Sequence, residues 1–487
     1  MVVETECSTD GTSIIVGEDH LIEALKESMR RKLGPAVSPL PSTCCIFKVP
    51  QVLRRHNTKA YQPDVVSIGP YHRHSEELQR METVKQWYFR NLLTRMKISA
   101  QEFIQRINDE TENGIIEFEK RARSFYAEPL DHLKEKELME IMILDGCFVV
   151  QLLQNFKDHK DEKDDDPILN MDCMFQYVCH DLLLLENQLP WFVLICLYRL
   201  TLGSDSGNAP KFSELLLNAF GTLASLFLSC KFYLKYLNHH EVDDNEVLHI
   251  LDLTRTSIVF TPEEEDTGSD NRPPTSTNLQ NYKKFLCCFA EKEEEEIISE
   301  IPTATALSEA GVRFEKTSEK NPNIEFKNGV FKIPELAVGE LTEPLLRNLI
   351  AFEQCYHGRS HQITSYAVIM DNLISSDKDI KLLSENKILS NWLNVEDVSK
   401  FFNSLYIDTT VDFQYERLFG EVNKYYRVKW NKHLEQLRSD YFSSPWKIIA
   451  LTVGILILLV TLMQFILSVL SSTLFTGIRV HELSADM

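Results

Sequence analysis

The chain has 487 residues, of which 44% are hydrophobic and 25% charged, an ordinary composition for a globular protein with a substantial core. Its 72 acidic residues outnumber its 51 basic residues and give a formal net charge of -21. This balance argues against a general nucleic-acid-binding protein, which needs a basic face, and against a body that lies flat on anionic lipid.

The N-terminal region, residues 1–43, is predicted to be flexible apart from one amphipathic helix over residues 18–33. The apolar stripe of this helix consists of Leu21, Leu25, Met29 and Leu33. Residues 1–20 contain no basic segment followed by an apolar one, so we expect no cleaved secretory signal.

Cysteine usage and glycosylation motifs bear on the compartment. The 11 cysteines are odd in number and scattered, which favours reduced thiols over a disulfide framework. Asparagine is common, yet no Asn-x-Ser/Thr sequon occurs. Both observations favour a cytosolic body.

Residues 56–74 carry many side chains capable of chemistry. Pro63, Gly69 and Pro70 predict a rigid, irregular loop over residues 62–71.

Helical periodicity dominates the rest of the body, residues 44–442, and predicts a mainly α fold. Predicted helices cover residues 76–96, 103–126, 133–156, 171–185, 191–200, 212–237, 343–356, 364–374, 380–392, 395–405 and 413–441. Residues 312–316 and 324–333 alternate as strands, and Asn328-Gly329 predicts a type I′ hairpin turn. The acidic, Pro-rich segment 261–280 is predicted to be a disordered insertion.

The most conspicuous segment is residues 448–470, a near-continuous apolar run without a charged residue. At about 1.5 Å per residue, a helix of this length crosses a hydrocarbon core of about 30 Å. A buried core helix is the alternative, although core helices seldom run this long without a polar face. We therefore predict one transmembrane helix, followed by a short tail over residues 471–487.

The segment before this span, residues 424–447, is predicted to contact membrane lipid. Its basic residues are Lys424, Arg427, Lys429, Lys432, Arg438 and Lys447, opposed by Glu435 and Asp440. Its aromatic residues Trp430, Tyr441, Phe442 and Trp446 are typical of a membrane interface. Because the tail has only Arg479 as a basic residue, the positive-inside rule predicts a cytosolic body and a tail-anchored, single-pass protein.

Three residues are candidates for catalysis. A site could be drawn with His72 as base and Asp64 as the group that orients it, together with Glu186 or Asp145. Asp145 and Glu186 could also form an acid pair in a cleft. The competing interpretation is structural: Pro and Gly fix the loop. In that interpretation Glu186 and its neighbours satisfy backbone groups, and Asp145 meets an arginine or a backbone donor.

Common cofactor and metal motifs are missing from the sequence. It contains no G-x-S-x-G, no G-x-x-x-x-G-K-[ST], no G-x-G-x-x-G, no C-x-x-C and no H-E-x-x-H. Cys44-Cys45 and His239-His240 are adjacent pairs, which do not share a face. We therefore predict no cofactor and no metal site.

Several separated motifs resemble the plant domain of unknown function 247 family. They are VPQVLRRHNTKAYQPDVVSIGPYHR at 49–73, MILDGCFVVQLL at 142–153, DLLLLENQLPWFVL at 181–194, PTATALSEAGVRF at 302–314 and LRNLIAFEQCY at 346–356. The resemblance implies a plant-restricted, mostly helical, membrane-associated protein without an established activity. Some grass members are linked to self-incompatibility recognition.

Two functions remain open from the sequence. The first is a non-enzymatic recognition or scaffold protein at a membrane, with the plasma membrane as the expected location, working through protein partners, in the manner of self-incompatibility signalling. The second is an enzyme with its site in the loop at residues 56–74, and we expect the non-enzymatic role.

Overall fold

The structure is a computed structural model that describes most of the chain. The described residues are 11–33, 41, 43–111, 113–158, 166–202, 209–227, 244–259, 300–317, 323–339, 341–391, 395–428 and 445–483. Helices predominate among them, which confirms the mainly α prediction. The predicted insertion at 261–280 lies outside the described residues.

The first part of the chain is helical. Its α-helices are α1 (Gly11–Lys32), α2 (Gln51–Arg54), α3 (Gln79–Met96), α4 (Ala100–Glu110), α5 (Gly114–Ser124), α6 (Glu135–Asp158), α7 (Asp172–Asp181), α8 (Trp191–Leu202), α9 (Phe212–Phe227) and α10 (Ile250–Ile258). Two short 3₁₀ helices, Thr58–Tyr61 and Glu76–Leu78, flank an irregular segment that we call loop 62–75. The predicted irregular loop is therefore confirmed.

Helix α6 lies at the centre of this part and packs against α3, α8 and α9. The Tyr88 ring of α3 meets the Phe148 ring of α6 edge to face, with 5.1 Å between centroids. A side chain at Gly146 would come within 2.3 Å of Leu197 Cδ1, so this glycine lets α8 approach closely. This packing holds α6, on which Asp145 lies, against its neighbouring helices.

The second part adds small β elements to further helices. It contains α11 (Ala304–Glu309), β1 (Arg313–Lys316), β2 (Glu325–Lys327), β3 (Val330–Ile333), β4 (Leu336–Val338), α12 (Thr342–Cys355), α13 (Gln362–Leu373), α14 (Asp377–Glu385), β5 (Leu389–Asn391), α15 (Val395–Ser404), α16 (Glu416–Tyr426) and α17 (Pro445–Leu483). Strand β3 pairs antiparallel with β2 and parallel with β1. Asn328 and Gly329 both have positive φ, at 52° and 76°, which confirms the hairpin.

Buried polar side chains join the two parts. The Asn348 amide on α12 donates to the Ala60 carbonyl at 2.7 Å and accepts from the Leu185 N–H at 2.8 Å. Glu353, also on α12, pairs with Arg255 of α10 at 2.8 Å and accepts from the Thr364 N–H of α13 at 2.9 Å. The Asn348–Ala60 bond holds the segment that precedes loop 62–75 against α12, and the Glu353–Arg255 pair joins α10 to α12.

Several predicted boundaries were wrong, and local backbone geometry explains most of them. The helix predicted over 103–126 is split into α4 and α5, because Gly114 adopts a φ of +78°. The helix predicted over 380–392 ends at Glu385, since Lys387 has a φ of 59° and the following residues form β5, which pairs with β4.

Other boundaries differ at the ends of helices. Helix α1 begins at Gly11 rather than at Glu18, because no proline interrupts residues 11–17. The long helix predicted over 413–441 begins at Glu416, and residues 429–444 lie outside the described part. Phe413 instead lies in the preceding loop, with its ring 4.6 Å from that of Phe419.

Helix α17 contains the predicted span. Its segment Leu451–Ser468 has a mean hydropathy of 2.4 and buries none of its surface against the protein. Within the described residues it is the one helix long and apolar enough to cross a membrane.

Candidate functional site

Loop 62–75 is held by the side chain of Asp181, the last residue of α7. The fully buried carboxylate accepts hydrogen bonds from the backbone N–H groups of Asp64 at 2.9 Å, Val65 at 2.7 Å and Val66 at 2.8 Å. Three charge-assisted bonds to one carboxylate fix the start of the loop to the helix end.

Asn187 and Asp145 hold the next loop residues. The Asn187 side chain accepts from the Ile68 N–H at 2.6 Å and donates to the Val66 carbonyl at 3.0 Å. The Asp145 carboxylate accepts from the Gly69 N–H at 2.9 Å. Gly69 has a φ of +77°, and a Cβ there would lie 2.7 Å from the Gln188 carbonyl oxygen, so the loop requires glycine.

A buried lysine balances Asp145. Lys85 on α3 is inaccessible to solvent, and its Nζ lies 2.6 Å from both Asp145 Oδ1 and Glu82 Oε1. Arg73 pairs with Glu82 and lies 3.6 Å from Asp145. Complete burial raises the pKa of the Asp145 carboxyl, while the attraction of Lys85 opposes that rise.

Glu186 lies at the other end of the loop, next to His72. It accepts from the Val49 N–H at 2.6 Å and pairs with Arg54, and its Oε2 lies 3.3 Å from His72 Nε2. This contact does not qualify as a hydrogen bond, and among the described residues His72 Nε2 has no hydrogen-bond partner. Burial opposes ionisation of Glu186, but the contacts with His72, Arg54 and Val49 outweigh it and lower its pKa.

Asp64 lies in a different group. Its side chain is 58% exposed, and its Oδ2 lies 3.9 Å from Nδ1 of His180, a residue that is 2% exposed. The same Nδ1 lies 3.6 Å from Asp181 Oδ1. Partial burial and repulsion from Asp181 raise the pKa of Asp64, against the opposing attraction of His180.

The structure therefore brings His72 and Glu186 together and places Asp64 elsewhere. Within the described residues, no hydrogen bond or ion pair joins Asp64 to either of the other two. As the structural interpretation expects, Asp145 and Glu186 with its neighbours bind backbone groups. Three of these backbone groups belong to loop 62–75, and the others lie outside it, at Val49, Asp181, Leu182, Leu184 and Leu251.

Sequence reasoning missed Lys85, His180 and Asp181. A signal existed for Lys85, which occupies the apolar stripe of α3 together with Met81, Tyr88 and Leu92. A charged residue in such a stripe requires a buried partner.

The chemistry open to this arrangement is narrow. Asp145 accepts hydrogen bonds from Lys85 and from the Gly69 N–H, and backbone N–H groups fill three acceptor positions of Asp181. Of the three candidates, His72, 16% exposed at its side chain, and Glu186 are the two whose side chains lie close together. A groove of about 340 Å³ over the three-stranded sheet is lined by charged residues such as Arg313 and Glu325, and by none of the three candidates.

Comparison with known proteins gives family membership without an activity. A UPF0481 protein of Arabidopsis thaliana is 28% identical over 437 residues, which cover 88% of this chain and 87% of the relative. A second UPF0481 protein of that plant is 26% identical, and the match covers 89% of this chain and 91% of that relative. No solved structure matches. A profile of the family described as "Plant protein of unknown function" matches residues 46–460, and the chain belongs to this domain of unknown function 247 family.

Proposed function

We propose that this protein is a membrane-anchored, non-enzymatic recognition or scaffold protein that works through protein partners. The observation that carries the proposal is the use made of the polar residues around loop 62–75. Asp181, Asn187, Asp145 and Glu186 all bind backbone N–H groups, which makes them supports of a rigid, partly buried loop and its surroundings rather than a set of free reactive groups.

Helix α17 supports the membrane part of the proposal. Its apolar side chains are exposed along the whole segment Leu451–Ser468, an arrangement that water disfavours and lipid accepts. The basic and aromatic residues of 424–447, with the charge-poor tail at 471–487, favour a cytosolic body. The plasma membrane is the location that we propose for it.

An enzyme is the second candidate, and one observation favours it. His72 Nε2 lies 3.3 Å from Glu186 Oε2, as in a base held by a carboxylate. Arg54 also pairs with Glu186, which makes this carboxylate part of a wider ionic group.

Proximity labelling from the N-terminus in plant cells tests the scaffold role. The full chain is compared with a chain that keeps only residues 429–487, and with one whose segment Leu451–Ser468 is replaced by an unrelated apolar span. We expect the full chain and the replaced-span chain to label one shared set of proteins that the body-less chain does not label. Equal labelling by all three would overturn the proposal. A set that disappears in His72→Gln, with folding and membrane attachment retained, would favour the enzyme.

Membrane attachment and orientation are tested separately. Deletion of Leu451–Ser468 should release the chain from membranes under alkaline carbonate, whereas the full chain stays. Protease added to the cytosolic face of sealed vesicles should digest the body. Protection from that face would contradict the proposed orientation.

A further inference from the structure

We infer that Asp64, His180 and Asp181 form a binding site for a divalent transition-metal cation of the zinc class. The three residues come from two elements, the start of loop 62–75 and the last turn of α7. One oxygen or nitrogen atom from each lies within 4.8 Å of the others. Such an ion would join the loop to the helix at a point that solvent can reach.

The unpartnered imidazole of His180 is the first observation behind this inference. The residue is 2% exposed, and both Nδ1 and Nε2 are buried without a hydrogen-bond partner. Burial of polar atoms without partners costs free energy, and nearly all such atoms in native proteins are paired. A metal ion at Nδ1 would supply the missing interaction at that atom.

The distances between donor atoms fit the same conclusion. In a tetrahedral zinc site with bonds of about 2.0–2.1 Å, neighbouring donor atoms are roughly 3.4 Å apart. His180 Nδ1 is 3.6 Å from Asp181 Oδ1 and 3.9 Å from Asp64 Oδ2. A small inward movement of the half-exposed Asp64 side chain is enough to close the site.

Asp181 retains the capacity to bind an ion. An ionised carboxylate offers about four acceptor positions, and three backbone N–H groups occupy three of them. Two of these bonds go to Oδ2 and one to Oδ1, so the open position is on Oδ1, the oxygen nearer to His180. The backbone bonds fix the orientation of this ligand, as outer-shell bonds do in metal sites.

The local charge also favours a cation. Within the described residues, neither Asp64 nor Asp181 forms an ion pair with a lysine or arginine. His180 and Asp181 lie at the C-terminal end of a ten-residue helix, where the helix dipole favours positive charge. One imidazole and two carboxylates form a donor set that suits Zn²⁺, with a fourth position open on the side of Asp64.

A protonated His180 between two carboxylates is the competing explanation. It needs no metal, but both nitrogen–oxygen distances exceed those of a charge-assisted hydrogen bond, which are about 2.7–2.9 Å. The two explanations differ in whether the protein takes up a stoichiometric ion.

The test uses the full chain in detergent micelles, stripped with a chelator and titrated with Co²⁺ as a visible probe for a zinc-type site. We expect one Co²⁺ per chain, with a ligand-field absorption band that Zn²⁺ removes. Asp64→Asn and His180→Gln should each weaken Co²⁺ binding by about tenfold or more. Because Asp64 is exposed, Asp64→Asn remains informative if His180→Gln does not fold.

His56→Gln is the matched control. His56 also lies beside a carboxylate, with 2.6 Å from its Nε2 to Asp408 Oδ2, but outside the proposed site. We expect this variant to bind Co²⁺ as the unmodified chain does. No band in the unmodified chain would overturn the inference. A band that Asp64→Asn leaves unchanged, or one that His56→Gln removes, would overturn it as well.

Discussion

Two buried histidines lie in contrasting polar regions of this protein. His249 caps the start of α10, where its Nδ1 accepts from the Asp252 N–H at 3.2 Å and its Nε2–H donates to the Cys45 carbonyl at 3.3 Å. His180, at the end of α7, is equally buried, yet neither nitrogen has a hydrogen-bond partner. Burial alone therefore does not separate a structural histidine from a candidate ligand, whereas the pairing of its two nitrogens does.

The carboxylates around the two histidines differ in the same way. Near His249, Asp252 forms a two-pronged pair with Arg359, at 2.8 and 2.9 Å, so its charge is balanced inside the region. Near His180, Asp181 binds backbone N–H groups and Asp64 makes no side-chain hydrogen bond within the described residues. The His180 region thus contains one carboxylate, that of Asp64, which none of its hydrogen bonds among the described residues uses.

The largest expected effect is the loss of Asp181. Asp181→Ala leaves three N–H groups of loop 62–75 without an acceptor, one of them buried and two partly buried. A buried donor without an acceptor costs about 1–3 kcal/mol. We expect the free energy of unfolding to fall by about 3 kcal/mol or more. Urea unfolding of the full chain in detergent, followed by near-ultraviolet circular dichroism, measures it.

The exposed Asp131 gives the control for that measurement. Asp131→Ala should change the free energy of unfolding by less than about 0.5 kcal/mol. If Asp181→Ala were equally mild, the backbone bonds of Asp181 would not be what holds the loop, and the contrast between Asp181 and Asp64 would be lost.

The next largest expected effect is a loss of folding stability at acid pH, caused by protonation of His249 in the unfolded chain. Complete burial lowers the pKa of His249 from 6.5 to about 4, although the nearby Asp252 charge opposes the change. The unfolded chain therefore binds this proton first as the pH falls, and stability is lost between pH 6.5 and 4. At about 1.4 kcal/mol per pKa unit, the loss approaches about 3 kcal/mol.

His249→Asn provides the comparison, because asparagine can keep the helix cap without a titrating group. The variant should lose less stability than the unmodified chain between pH 6.5 and 4.5, above the range in which ordinary carboxyls titrate. Urea midpoints measured at half-unit pH steps give both curves. If the two curves of urea midpoint against pH were parallel, His249 would keep an ordinary pKa. It would then not be the structural histidine that the comparison with His180 requires.

Some features of this fold and of its polar regions could be predicted from the sequence, and others depend on long-range packing. The irregular loop and the hairpin were predictable because Pro63, Gly69 and Asn328-Gly329 act through their own backbone angles. The partner of Asp145 was not predictable, because Lys85 lies 60 positions away in the chain. It reaches Asp145 only when α3 packs on α6. Asp64 was a candidate because of its residue type. Its neighbours His180 and Asp181 depend on the long-range placement of α7, which no spacing rule contains.

The smallest expected effect is that of Asp64→Asn in the metal-free protein. The informative quantity is the sign of the change in the free energy of unfolding. Since partial burial and repulsion from Asp181 raise the pKa of Asp64, its negative charge is less favourable in the folded chain than in the unfolded chain at neutral pH. Removal of the charge should leave the free energy of unfolding unchanged or raise it by no more than about 0.5 kcal/mol.

With Zn²⁺ at about 100 times its dissociation constant, the unmodified chain should instead gain about 2.7 kcal/mol. Asp64→Asn, binding about tenfold more weakly, should gain at most about 1.4 kcal/mol. The same substitution is then harmless or slightly favourable with chelator present and unfavourable with Zn²⁺ present. An ion pair with a protonated His180 predicts one sign in both conditions, because its strength does not depend on Zn²⁺. Urea midpoints of the two chains are therefore measured with chelator and with Zn²⁺. They decide whether the Asp64 carboxylate of the His180 region binds a cation.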